Sequence, residues 1–245
     1  MKYENTDALL AWLMVWMSKT FPTQAILKGG MVLRLLESIR NTNDLNWVFI
    51  PFESRKEVAP LIRSELDKIN ELTYLERLDS RSLQYQIEFG GQRGQLEISV
   101  TDECKSIAIS SAHYASQFGL VGGLVRVMEP SVALSHRLAA WNERRLYRDL
   151  FDIWFISRVL KVDPDVQTLL QRLKRVEHRR KKPSVMSTHD FCVELNNAAD
   201  SFNMQEFREE LVGSMKESEI DGMEIQIPLA LRLIAMYLLK MTHTA

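Results

Sequence analysis

The chain changes character at Glu129-Pro130, and that change constrains its fold more than any other feature. Before this point, short stretches with the two-residue alternation of half-buried strands are interleaved with stretches of helical spacing. After it, only helical spacing of apolar residues remains. Strands mixed with helices, followed by helices alone, predict two domains, 1–129 and 130–245. A hydrophobic content of 46% over 245 residues gives both halves material for a core.

In the first half, strand patterns fall at 24–27, 45–50, 74–78, 83–89, 95–100 and 124–128. Helical patterns fall at 31–39 and 55–72, and Gly90-Gly91-Gln92-Arg93-Gly94 signals a hairpin. In the second half, helical patterns cover 132–142, 146–160, 166–176, 189–199, 204–215 and 228–241. The apolar run at 8–17 is preceded by Glu4 and Asp7 and followed by no small-residue cleavage site. It is also far short of the roughly 20 residues that span a bilayer. It reads as a buried helix capped by Thr6 or Asp7, so a cytoplasmic protein without a membrane partner is expected. Cys104 and Cys192 make neither a metal-ligand spacing nor a disulfide framework, which fits a reducing compartment.

The chemistry concentrates in two places. Lys28-Gly29-Gly30 lies between a strand and a helix, where paired glycines let the backbone approach a ligand and helix-start N–H groups can hold phosphate. A tight turn needs the same residues. Asp44 and Asn46 then alternate along a strand, so both side chains share one face, opposite Leu45 and Trp47. Adjacent oxygen-bearing groups suit a hard divalent cation, which phosphoryl transfer requires. Glu97 sits on a strand face with Gln95 and Ser99, and joins the set if its strand lies beside that of Asp44. A simple solvated face explains the alternation equally well.

In the second half, Arg145, Arg148, Asp149 and Asp152 stand at helical neighbour spacing. Arg145 to Asp149 and Arg148 to Asp152 are predicted i,i+4 pairs on an exposed salt-bridged face, with Leu146, Leu150, Ile153 and Trp154 inside. The formal net charge is only -1, so any nucleic-acid site must be local. Arg172, Lys174, Arg175, His178, Arg179, Arg180, Lys181 and Lys182 form the one strongly basic tract. It suits an RNA backbone, or equally a helix terminus whose cations complement the dipole.

Lys28-Gly29-Gly30-Met31-Val32-Leu33-Arg34-Leu35, followed by Arg40-x-Thr42-x-Asp44-Leu45, resembles the opening motif of AbiEii/AbiGii-type nucleotidyltransferase toxins, within the DNA polymerase β-type superfamily. The run from Arg137-Leu138-Ala139-Ala140 to Arg148-Asp149-Leu150-Phe151-Asp152 is similar to the family's second motif. The resemblance implies an α/β nucleotidyltransferase-fold mixed sheet flanked by helices, plus a C-terminal helical bundle contributing to the cleft. It further implies magnesium- or manganese-dependent transfer of a nucleotidyl group from a nucleoside triphosphate to an acceptor such as tRNA or another RNA, and a cognate antitoxin. Asp44, Asn46 and Glu97 would then hold metal. Lys28, Gly29, Gly30, Arg40 and Thr42 would hold the nucleotide. Arg137 would lie near its phosphates, and Asp149 or Asp152 would complete the site. The chain departs from the family pattern twice, with Asn46 for the second metal aspartate and Arg137 for a lysine. A non-catalytic nucleotide- or RNA-binding module is therefore the alternative.

Overall fold

Asn5 starts the first helix by accepting the amide of Ala8 on its side chain at 2.9 Å, just ahead of the expected caps Thr6 or Asp7. In the computed structural model, which describes residues 3–79, 82–177 and 186–243, this helix is α1 (Thr6–Thr20). Its Leu9, Leu10, Leu13, Met14 and Met17 are fully buried, each contributing about 2 kcal/mol of apolar burial. The chain forms two compact units, Met1–Glu129 and Pro130–Ala245.

The first unit is built on a seven-stranded mixed sheet in the order β3-β4-β5-β2-β1-β7-β6. The strands are β1 (Ala25–Lys28), β2 (Asp44–Phe49), β3 (Thr73–Leu78), β4 (Leu83–Phe89), β5 (Gln92–Val100), β6 (Ser106–Ser110) and β7 (Leu124–Met128). β2 pairs parallel with β5, and β1 pairs parallel with β7; the other neighbours are antiparallel. Leu27, Leu45, Trp47, Tyr85, Leu96 and Ile98 join α1 in one buried core. A Cβ on Gly94 would lie 3.3–3.5 Å from Leu10, Leu9 and Leu13, so the bare backbone there lets α1 settle closely on β5. Helix α3 (Arg55–Leu66) is fastened to the sheet by Tyr85, whose buried hydroxyl donates to the Ala59 carbonyl at 3.1 Å.

Several boundaries differ from the periodicity. Helix α2 (Gly30–Leu35) stops short of residue 39 because Glu37 turns to φ 67°. α3 ends six residues early, and β5 begins at Gln92, so only Gly90-Gly91 forms the hairpin turn. β6 and the short helix α4 (Ala112–Ser116) were not expected at all.

The second unit is helical: α5 (Pro130–Arg144), α6 (Tyr147–Trp154), a π-helical turn (Phe155–Val159), α7 (Val166–Glu177), α8 (Thr188–Asp200), α9 (Met204–Leu211) and α10 (Met223–His243). Pro130 opens α5, where the missing amide costs no hydrogen bond. The stretch read as one helix over 146–160 is α6 plus the π-helical turn. α9 stops at Leu211, before Val212 becomes extended and Gly213 takes φ 81°. α10 begins five residues ahead of Pro228, which it accommodates near its start. By length and composition α10 could cross a membrane. In this unit it is a core helix, with Ile227, Leu231, Ile234 and Leu238 buried and α8 packed along it.

Candidate active site

Strand register assembles the polar face of the first unit. Lys28 on β1 pairs with Asn46 on β2, and Asn46 pairs with Glu97 on β5. Asp44, two residues earlier on β2, pairs with Gln95. Residues opposite one another share a face, so Lys28, Asp44, Asn46, Gln95 and Glu97 all lie opposite Leu45, Trp47, Leu96 and Ile98. All five are half-buried. A cation, an amide and a carboxylate thus cross three adjacent strands in one row, with a second carboxylate beside them.

Asp44 is held from both sides. Its Oδ1 accepts from the Thr42 hydroxyl at 2.7 Å and its Oδ2 from the Asn46 amide nitrogen at 2.8 Å. An ionised carboxylate only accepts, so Asn46 must turn its nitrogen toward Asp44 and its oxygen away. The glycine turn packs on the same cluster. Gly29 has φ 78° and ψ -154°, a conformation reserved for glycine, and a Cβ there would lie 3.3 Å from the Asn46 amide nitrogen. A Cβ on Gly30 would lie 3.0 Å from the Thr42 hydroxyl and 3.2 Å from an Arg40 Nη atom. Lys28, Gly29, Gly30, Arg40, Thr42, Asp44 and Asn46 are therefore one packed assembly, and pairing brings Glu97 alongside.

Arg34, quoted above only as part of a motif, fixes the segment leading to Thr42. Its Nη1 donates to the Asn41 side chain at 2.8 Å and to Asp7 of α1 at 3.2 Å. Burial pushes the Cys104 thiol up, opposed by nearby Lys28 and Arg126. A groove of about 510 Å³ lined by Asn43, Leu75, Gln86, Arg93 and Gln95, among others, lies over β3, β4 and β5.

Among the described residues there is no cluster of three or more His, Cys, Asp or Glu side chains suited to a metal ion. Magnesium-type ions at phosphoryl-transfer sites need only one or two carboxylates, with water and substrate phosphates filling the remaining positions. Asp44 and Glu97 on neighbouring strands fit that requirement, and each Asp44 oxygen keeps a lone pair beyond its hydrogen bond.

The second unit brings Arg137, Asp149 and Asp152 together differently from the expected helix pairs. Arg145 leaves the helix at φ 57°, so α5 and α6 are separate and the i,i+4 geometry of Arg145 with Asp149 is lost, while Arg148 and Asp152 both stay on α6. Asp149 and Asp152 are fully buried, not exposed. Arg137 reaches from α5 to Asp149 at 3.1 Å and Asp152 at 2.8 Å, and Arg144 bonds both oxygens of Asp149 at 2.6 and 2.9 Å. Arg145 pairs instead with Glu194 at 2.7 Å and stacks over Trp141. Glu210 of α9 caps α6 by accepting the amides of Tyr147 and Arg148 at 2.8 and 3.0 Å. Sequence reading placed Arg144 only within the second motif, without a role, and missed Glu210, because neither lies at helical spacing from its partner.

Of the basic tract, Arg172 and Lys174 lie on α7, where Lys174 is exposed and Arg172 is 3.9 Å from Glu143. Arg175 belongs to the same helix. His178, Arg179, Arg180, Lys181 and Lys182 lie outside the described residues.

The fold is of the nucleotidyltransferase-toxin class. It is similar to MenT4, a nucleotidyltransferase toxin from Mycobacterium tuberculosis, with a TM-score of 0.54 and 15% identity over 94% of this chain and 92% of that one. It is also similar to JHP933 from Helicobacter pylori, with a TM-score of 0.51 and 14% identity over 100% of this chain and 97% of that one. At these identities the likeness is one of fold. No curated protein matches the chain. Residues 16–233 match the family model described as "Nucleotidyl transferase AbiEii toxin, Type IV TA system", and the chain belongs to that family. Membership implies a cognate antitoxin as a partner.

Proposed function

We propose that this protein transfers a nucleotidyl group from a nucleoside triphosphate to a hydroxyl of an RNA acceptor, tRNA ends included, with magnesium or manganese, in the cytoplasm. The observation that carries this reading is the pairing of the Asp44 and Glu97 strands beside a glycine turn packed on the neighbours of Asp44. Asp44 and Glu97 would hold the ion, which when bound neutralises phosphate charge and orients the attacking oxygen. Thr42 and Asn46 keep the Asp44 carboxylate in one orientation, so little reorganisation precedes the reaction. Lys28 offers a cation on the same face, and the bare backbone of Gly29 and Gly30 allows phosphate oxygens to come close. The acceptor oxygen bonds to the α-phosphorus as pyrophosphate departs. The basic tract from Arg172 to Lys182, in a chain of nearly balanced charge, supports RNA as the acceptor class.

The test is incubation of the full chain with α-labelled nucleoside triphosphates, total RNA and magnesium or manganese. Labelled RNA is expected with the wild type and none with Asp44→Ala; equal labelling by both overturns the reading. One observation favours a second reading, a nucleotide-binding module without turnover: Asn46 replaces an acid and spends its amide on Asp44. Calorimetry showing tight, metal-dependent nucleotide binding without labelling of any acceptor would select it.

A further inference from the structure

We propose that the chain self-associates through β6, two copies pairing antiparallel about Ala108 to continue the sheet from one molecule into the other. This inference does not depend on the transfer reading. The two edges of the seven-stranded sheet are built differently. β3, at one edge, carries Glu76 and Arg77, and Glu76 is tied to Arg63 of α3 at 2.8 Å. β6, at the other edge, is Ser-Ile-Ala-Ile-Ser and contains no charge, proline or glycine, the devices that ordinarily keep an edge from pairing. Ile107 on it is 42% exposed, and Leu124 and Val121 nearby are 73% and 82% exposed.

The ladder to β7 shows which backbone groups face outward. The Glu129 amide donates to the Lys105 carbonyl and the Ser111 amide to the Gly123 carbonyl, so the odd-numbered residues of β6 face inward to β7. Ser106, Ala108 and Ser110 therefore turn their N–H and C=O groups away from the sheet. That outward set is the one a further strand would use.

The five residues read the same in both directions, which singles out a second copy as the occupant. With Ala108 on a two-fold axis, Ala108 faces itself and Ser106 faces Ser110 of the other copy. These would be the hydrogen-bonded pairs, supplying about six main-chain bonds. Ile107 would face Ile109 of the other copy in the closer, non-hydrogen-bonded positions, where apolar side chains gain most from pairing. Both isoleucines lie on the face shared with Val125 and Val127, so the cores of the two sheets would extend toward each other. Such a contact is isologous and closes at two copies.

Sedimentation velocity of the full chain over a wide concentration range tests this. A species of twice the 28.4 kDa chain mass is expected. Ala108→Pro removes an outward amide while leaving the β7 ladder intact, and Ile107→Lys places a charge on the edge. Each is expected to weaken dimerisation by at least about tenfold with the thermal melt of the monomer retained. If Ala108→Pro fails to fold, Ile107→Lys carries the test. Under oxidation, Ala108→Cys is expected to give a disulfide-linked dimer, since hydrogen-bonded antiparallel partners have Cα atoms about 5.5 Å apart. Three results overturn the proposal: a chain that stays monomeric with Ala108→Cys uncrosslinked, which would leave the edge to a foreign strand; a dimer untouched by both edge variants; or crosslinking that requires Cys104.

Discussion

Asn46 donates its amide nitrogen to Oδ2 of Asp44 at 2.8 Å, two positions along the same strand face. A second carboxylate in that position could not make this bond, and two like charges would stand side by side. Asn46→Asp should therefore lower the stability of the metal-free protein by about 1 kcal/mol, through the lost hydrogen bond and the added repulsion. Magnesium or manganese should recover that loss and raise the variant's melting temperature more than the wild type's, because the added charge strengthens ion binding. Melts with and without metal check this. A variant that melts like the wild type in both conditions would mean that the Asn46 bond holds nothing in place.

The buried ion cluster of the second unit makes a different kind of claim, about order of importance. Arg137 is 19% exposed and serves both Asp149 and Asp152, whereas Arg144 is 41% exposed and serves Asp149 alone. Arg137→Met removes a guanidinium that two buried carboxylates share and should cost about 3 kcal/mol. Arg144→Met leaves Asp149 paired with Arg137, and water screens the lost contact, so about 1 kcal/mol is expected. Arg137→Lys should fall between the two, because one ammonium lacks the fork that spans two acids. Urea unfolding at neutral pH measures all three. Equal costs for Arg137→Met and Arg144→Met would refute the ranking.

The legible part of this architecture is the part written in local periodicity. Alternation at Asp44, Leu45, Asn46 and Trp47 showed which side chains share a face, and β4 and β7 fall where the pattern ends. Placing β5 next to β2 required long-range pairing, which spacing alone does not encode, so the position of Glu97 stayed conditional until the register was known. An amide is both donor and acceptor, and only a neighbour decides which end it uses; that is why the Asn46 bond was invisible. The break at Arg145 falls in the gap between the helical patterns at 132–142 and 146–160, but the pairing of Arg145 with Asp149 ran across it, because a non-glycine residue in the left-handed region carries no sequence signal. β6 escaped because its alternation rests on only two isoleucines, too short a run to separate a strand from a loop. The burial of Asp149 and Asp152 reverses the exposed-face reading for a related reason: their arginines, Arg137 and Arg144, arrive from another helix.

Tyr114 supplies the last prediction, one of pH dependence. Among the described residues its buried hydroxyl has no hydrogen-bond partner, and its ring lies 5.4 Å beneath the Arg34 guanidinium. Burial pushes its pKa from 10.0 up to about 12, with Arg34 pulling weakly the other way. Burial does the same to Tyr3, whose pKa also rises to about 12. In both cases the folded state prefers the neutral phenol. Between 10.0 and about 12 the folded chain thus holds protons that the unfolded chain has released, and stability must fall as pH rises through that window. Below pH 10.0 these two groups contribute no slope. Tyr114→Phe keeps the ring beneath Arg34 and removes the orphan hydroxyl. It should therefore leave neutral-pH stability unchanged or raise it by about 1 kcal/mol, and make the alkaline decline shallower while Tyr3 retains its share. Denaturant melts at neutral pH and at steps above pH 10 read both effects. A loss at neutral pH would mean that the hydroxyl has a partner, and an unaltered alkaline slope would mean that Tyr114 ionises as readily folded as unfolded.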